Sequence, residues 1–282
     1  MNHNDTLMQN QNVVITGGTD GIGKAAAIQL AKLGARLLLI SRNPDKGDAA
    51  VAEIKQVSGN DAVTFLQADL SLVNNAQRTA EQLRETFDRL DALVYCAGNI
   101  FPRQRTLTDD GVELSFAIQY MARFVLTNEL LDVLRVAPAP QVLSVAGGGT
   151  ISGQVDFDNL QGEKSYGFVE AIKTTSRACD LLTAEQIARY PEITFYNYGP
   201  GLVRSGQIVK NPVMRLLMNT VGRLFSRSAE QAADDIVALL TGQYASGFYV
   251  RSAQRNDAPA CADRASCRRM WEYGETLVAQ EI

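Results

Sequence analysis

The 282-residue chain contains a single histidine, His3, inside a polar N-terminal stretch. A Ser-His-Asp triad, a histidine-zinc site and a histidine general base all need an imidazole in a folded pocket, so none of them is available. No Lys/Arg run reaches the length of a basic patch, and the formal net charge is −4, which argues against nucleic acid as a partner. The longest apolar runs, such as LLLI at Leu37–Ile40, are too short to span a bilayer. The opening MNHNDTLMQNQN lacks the apolar core of a signal peptide. The four cysteines, Cys96, Cys179, Cys261 and Cys267, fit no zinc spacing, so no metal is expected. A reduced, cytoplasmic setting is expected.

What the chain does have is an alternation of short apolar runs and helical patterns. Hydrophobic content of 46% with 21% charged residues is ordinary for a chain with a sizeable core. NVVIT (12–16) leads into GIGKAAAIQLAKLG, apolar at helical spacing with Gly34 as a C-terminal stop. RLLLI (36–40) precedes DKGDAAVAEIKQV, VTFLQAD (63–69) precedes NNAQRTAEQLRETFDRL, and DALVYCA (91–97) precedes a long helix expected near 108–136. QVLSVA (141–146) leads through a loop to an amphipathic helix over Glu170–Gln186, and ITFYNY (193–198) and GFYV (247–250) complete the set. Strands buried on both faces and alternating with helices predict an α/β architecture: a doubly wound parallel sheet of about seven strands with helices on both faces. No repeat, low-complexity tract or linker interrupts the pattern. Residues 1–11 are therefore expected as a polar tail and 12–282 as one domain, with substrate-side helices over 206–242.

TGGTDGIGK, Thr16 to Lys24, lies between the first strand and the first helix. Gly17 permits the tight turn, Gly21 lets the backbone approach a pyrophosphate, and Gly23 lets helix and strand pack closely, with the helix N-terminus facing the anion. The second strand ends in Ser41-Arg42-Asn43, without the carboxylate that would bind ribose hydroxyls in an NAD site. Arg42 is available for a 2′-phosphate, so NADP(H) is the expected cofactor.

At these residues the chain resembles the short-chain dehydrogenase/reductase family, in its retinol-dehydrogenase-like or WW-domain-oxidoreductase-like branch. The resemblance runs over nearly the whole chain: the glycine loop at 16–23, DLS at 69–71, AG at 97–98, DFDNLQGE at 156–163, PGLVRS at 200–205 and the closing RRMWEYGETLV. It implies a single-domain Rossmann fold assembled as a homodimer or homotetramer. It further implies a dinucleotide held by Gly17, Thr19, Asp20, Gly21, Ile22, Gly23, Ser41, Arg42, Asp69 and Leu70 at the adenosine and phosphate end. Cys96, Ala97, Gly98, Pro200, Gly201, Val203 and Ser205 would line the nicotinamide side. Where the family carries two adjacent asparagines, this chain has Tyr95 and Cys96.

The family's chemistry rests on a tyrosine acid, a lysine four residues on, a serine after the fifth strand and an asparagine in the long helix. Aligned without gaps, those positions hold Ile172, Ser176, Gly147 and Gln119. A phenol of depressed pKa is thus missing, a loss usually worth ~10²–10⁴ in rate. Gly147-Gly148-Gly149 is expected as a small-residue floor, giving either room for a bulky substrate or a flexible loop. Lys173, about 60° around the helix from Ser176, is a candidate stand-in, set against an ordinary solvated lysine. Tyr166 could act as the acid only if the register slid by six residues, and otherwise packs at the helix entrance. Three classes follow. The first is NADP(H)-dependent hydride transfer to a strongly polarised small molecule of specialised metabolism, such as an iminium or activated enone. The others are a non-redox cyclase or isomerase, and a nucleotide-binding pseudoenzyme.

Overall fold

Val13, Val14 and Ile15 of the first apolar run are all completely buried, which a strand achieves only when both its faces are covered. The computed structural model describes residues 7–98, 101–151, 154–203, 226–258, 260 and 263–280. Ser205 and most of the expected 206–242 helices lie outside them.

Along the chain run β1 (Asn12–Thr16), α1 (Gly21–Lys32), β2 (Arg36–Ser41), α2 (Pro44–Ser58), β3 (Val63–Gln67), α3 (Val73–Thr86) and β4 (Ala92–Tyr95). A composite helix, α4, follows as Leu114–Phe116, a π-helical turn over Ala117–Met121, and Ala122–Glu129. Then come α5 (Leu131–Leu134), β5 (Gln141–Val145), α6 (Phe168–Arg189), β6 (Thr194–Gly199), α7 (Ala229–Thr241), β7 (Gly247–Val250), β8 (Ala253–Gln254) and α8 (Arg264–Ala279). The strands form one sheet in the order β3-β2-β1-β4-β5-β6-β7-β8. Seven are parallel, as expected; the eighth, β8, is a two-residue antiparallel addition that no periodicity signals.

Alternation along each strand sorts the helices. Val13, Ile15, Leu37, Leu39 and Val94 share a core with α1, α2 and α7. Val14, Leu38, Leu93 and Val142 share the other with α3, α4, α6 and α8. Because α7 packs against α1, that part of the expected substrate-side stretch stands on the α1 face.

Three local expectations are corrected. The long helix begins at Leu114, not near 108: Thr108-Asp109-Asp110-Gly111 turns back on itself, with Gly111 at φ 73° and Glu113 capping the Phe116 N–H at 2.9 Å. It is also interrupted at Leu130. Finally, Met8, expected in the polar tail, is buried and its N–H donates to Leu33 O at 3.0 Å.

Candidate functional site

β1 lies between β2 and β4, so the connections leaving β1 and β4 diverge to opposite faces and open a crevice at their carboxyl ends. Thr16 ties the two rims together: its carbonyl accepts from Cys96 N–H at 2.9 Å and its hydroxyl from Ala97 N–H at 3.3 Å. Gly17 takes φ 68°, and a Cβ there would lie 2.6 Å from Ala97 N. A Cβ on Gly23 would lie 2.3 Å from Gly17 O, so the helix start sits directly on the turn. Gly21, at φ 51°, has nothing within 4 Å of a would-be Cβ, leaving open backbone at the helix N-terminus. Asp20 caps that helix through the Gly21 N–H at 2.7 Å, and Thr19 and Ile22 complete the loop half-buried.

Just beyond the adjacent ends of β2 and β3, the Arg42 guanidinium stands 4.0 Å from the Asp69 carboxylate, Arg42 exposed and Asp69 half-buried. Asp69 also accepts from the Ser71 N–H and hydroxyl, at 3.0 and 2.7 Å, which fixes the turn through Leu70. Ser41 Oγ is buried with no hydrogen-bond partner among the described residues. Across the crevice, Gln119 Nε2 is likewise buried and unpartnered, with its chain packed under Gly98. An unpaired buried donor or hydroxyl is costly, so an orphan at each end of the groove points to a polar ligand between them. On these features the residues present fit a dinucleotide.

At the reacting end the structure brings Gly147, Ser176 and Ile151 together: a Cβ on Gly147 would meet Ser176 Cβ and Ile151 Cγ1, each at 3.6 Å. Ile172 is half-buried one turn before Ser176 on α6. Gly148 and Gly149 are neither roomy nor loose. Both have positive φ, and a Cβ would strike Tyr249 O at 2.5 Å in one case and Ala258 Cβ at 2.6 Å in the other. Asn197 Oδ1 further accepts from Gly148 N–H at 2.9 Å. Of the three, only Gly147 would accommodate a Cβ, in ordinary contact with its neighbours.

Lys173 is exposed and pairs with Glu170 at 3.7 Å, a solvated position on the flank of α6. Tyr166 precedes the helix, and its hydroxyl donates to Pro102 O at 2.8 Å. Burial and the nearby Glu113 raise its pKa, opposite to what a general acid-base phenol needs. Pro200, Gly201 and Val203 follow β6, with Val203 bridged to Arg227.

Two further residues at this point are not marked by any sequence pattern. Asp180 is completely buried on α6, four residues after Ser176, and its Oδ1 lies 3.8 Å from the would-be Gly147 Cβ. Burial raises its pKa to about 7 against the Gly149 N–H, Arg177, Asn197 and Arg123. Arg123, buried on α4, donates to Val145 O at 2.8 Å and to Cys179 Sγ at 2.9 Å. Burial still pushes the Cys96 thiol up to about 12, so it stands as a neutral thiol. No spacing signals either: the helix neighbours of Asp180 include Ser176, Arg177 and Thr183, and those of Arg123 include Gln119 and Thr127, so neither stands out from its face.

A model of the short chain dehydrogenase family matches residues 11–155. Retinol dehydrogenase 14 of Mus musculus is 27% identical over 292 residues, covering 96% of this chain and 87% of its own. A Streptomyces sp. (strain C5) protein assigned as the daunorubicin C-13 ketoreductase DnrU is 30% identical over 273 residues, covering 94% and 92%. Among solved structures, an uncharacterized protein from Mycobacterium paratuberculosis superposes with TM-score 0.75 at 20% identity, covering 96% and 94%. A Shigella flexneri short chain dehydrogenase complexed with NADP superposes with TM-score 0.62 at 19% identity, covering 84% and 92%.

Proposed function

The chain belongs to the short chain dehydrogenase family, in its retinol-dehydrogenase-like branch, and from that membership we propose that it binds NADP(H) and directs hydride transfer to a small molecule that is already strongly polarised. One contrast carries the reading. The crevice keeps its open Gly21, its Arg42 and an orphan polar atom at each end, while the reacting end presents Gly147, Ile172 and Ser176 instead of a phenol and an ammonium.

Gly17, Gly21 and Gly23 would hold the pyrophosphate, Ser41 and Arg42 the 2′-phosphate, Asp69 and Leu70 the adenine end. Cys96–Gly98, Gln119 and Pro200–Val203, with Ser205 beyond the described residues, would flank the nicotinamide. When bound, the reduced nucleotide supplies a hydride. Ile172 and Ile151 exclude water around the acceptor, which strengthens the electrostatics there. Because no phenol protonates a developing alkoxide, simple ketones and secondary alcohols are poor substrates, whereas an iminium or activated enone needs little acid help. Gly147 sets no side chain of its own against the acceptor, which suits a bulky molecule of specialised metabolism. Lys173 takes no part in this reading, since its ammonium is solvated and paired. No helix among the described residues is long and apolar enough to cross a membrane, and we place the enzyme in the cytoplasm.

Calorimetry with both nucleotides and deuterium transfer from C4-labelled NADPH test the proposal. NADPH should bind more tightly than NADH, and the label should appear in the product of an activated enone but not of a simple ketone. Product that forms without nucleotide, or never carries the label, would replace this reading with a cyclase or isomerase. Binding without turnover of any acceptor would leave a pseudoenzyme.

A further inference from the structure

Among the described residues, the buried carboxylates other than Asp180 are directly paired or doubly hydrogen-bonded. Glu185, Asp235 and Asp91 each have a guanidinium within 4.0 Å, and Glu113 accepts from the Ser115 hydroxyl and the Phe116 N–H through its two oxygens. Asp180, fully buried, accepts from Gly149 N–H at Oδ1, 3.3 Å, and its Oδ2 has no hydrogen-bond partner among the described residues. Arg177 and Arg123 act on it only from beyond ion-pair distance, so it lacks the direct guanidinium partner or paired donors that the other buried carboxylates have.

Ile172, Ser176 and Asp180 are spaced four apart and share one face of α6. The Ser176 Cβ and the Asp180 Oδ1 flank the same point, the absent side chain of Gly147, at 3.6 and 3.8 Å. Residues four apart on a helix have Cβ atoms about 5–6 Å from each other, within reach of a hydroxyl-to-carboxyl hydrogen bond. We propose that Asp180 stores the proton of the reaction and delivers it to the pocket through the Ser176 hydroxyl, replacing the missing phenol. This rests on the NADP(H) reading above.

In balance, the substrate accepts a hydride from the dihydronicotinamide at the β-carbon of a conjugated carbonyl, and the C=C electron pair moves to oxygen as an enolate. The enolate takes the Ser176 hydroxyl proton, and Ser176 Oγ takes that of Asp180. The carboxylate left behind faces Gly149 N–H, Asn197 of β6, Arg177 of its own helix and Arg123 of α4, and is reprotonated from solvent; Arg255, after β8, also feels its charge. Neighbouring Cys179 is held neutral by burial. A carboxyl that titrates at about 7 matches a stabilised anion such as an enolate, and this narrows the acceptor from iminium or enone to enone.

The test reads protons rather than turnover. Calorimetry of NADP⁺ and of NADPH binding near pH 7, in buffers of different ionisation enthalpy, gives the protons released by each. The 2′-phosphate contributes equally to both, so the difference isolates groups that face the positive oxidised ring. The expected result is a fraction of a proton more released with NADP⁺, abolished in Asp180→Asn while affinity stays within about threefold. Equal release in the wild type, or an unchanged difference in the variant, overturns the proposal and leaves the cofactor reading standing. Failure of both nucleotides to bind overturns the cofactor reading itself. Should the variant not fold, infrared titration of the wild type serves instead. A protonated-carboxyl band should persist to about pH 6 and disappear by about pH 8, with its midpoint lowered by NADP⁺ and not by NADPH. A midpoint that NADP⁺ does not move also overturns the proposal.

Discussion

Gly147 and Asp180 face each other across the gap between the loop after β5 and the middle of α6, a would-be Cβ on the one lying 3.8 Å from Oδ1 of the other. Since Ser176 Cβ lies 3.6 Å from that same point, a missing side chain, a serine and a buried carboxyl converge there.

The raised pKa of Asp180 has a consequence for stability. Its folded value, about 7, lies above the unfolded value of 3.8, chiefly because burial penalises the carboxylate. Between these values the folded state keeps a proton that the unfolded state has lost. The stability present at low pH is therefore lost as pH rises through that window and is flat above it. Asp180→Asn removes this slope. Urea denaturation from about pH 4 to about pH 8 should show the wild type losing a few kcal/mol relative to the variant, and parallel profiles would refute the shift.

Arg42→Ala should weaken NADPH selectively, by ~1.5–3 kcal/mol, the range for a hydrogen bond to a charged group. NADH affinity should barely change, because that nucleotide lacks the 2′-phosphate. Equal losses for the two nucleotides, measured by calorimetry, would remove Arg42 from the phosphate site.

The glycine cradle separates into two testable roles. Gly21→Ala adds a methyl to open space at φ 51°, so it costs about 1–2 kcal/mol of strain and weakens NADPH more than about tenfold by blocking the backbone. Gly23→Ala pushes a Cβ to 2.3 Å from Gly17 O, displacing the turn. It should cost a further 1–3 kcal/mol, roughly, of folding stability and also abolish binding. A Gly21→Ala protein that binds NADPH normally would contradict the cradle.

Tyr166→Phe removes the hydrogen bond to Pro102 O and the hydroxyl's interactions with Ser115 and Glu113. A loss of about 0.5–1.5 kcal/mol in denaturation is expected, with nucleotide affinity and labelled-hydride transfer retained. Collapse of transfer in a folded, nucleotide-binding variant would return Tyr166 to the active site and shift the register of α6.

What the sequence determined by itself is local in its physics. Continuous apolar runs such as NVVIT and RLLLI announced strands covered on both faces, because burial of a strand depends on its own residues and on period two. Gly17, Gly21 and Gly23 announced a tight turn and a close helix-strand approach through their spacing, and on the gapless reading of the stretch before α6, Ile172, Gly147 and Ser176 are expected where an acid and its partners would stand. α4 starts later than its pattern predicts because the Thr108–Gly111 turn and the Glu113 cap outweigh a helical pattern that continues on either side. Only the tertiary structure decided the rest. Gly148 and Gly149 are glycines because β6, β7 and Ala258 close over them, which no spacing reveals. Lys173 and Asp180 lie seven residues apart on one helix, yet one is solvated beside Glu170 and the other fully buried. That difference is a matter of desolvation, set by the loop after β5, β6 and α4 converging on one face of α6 from distant parts of the chain.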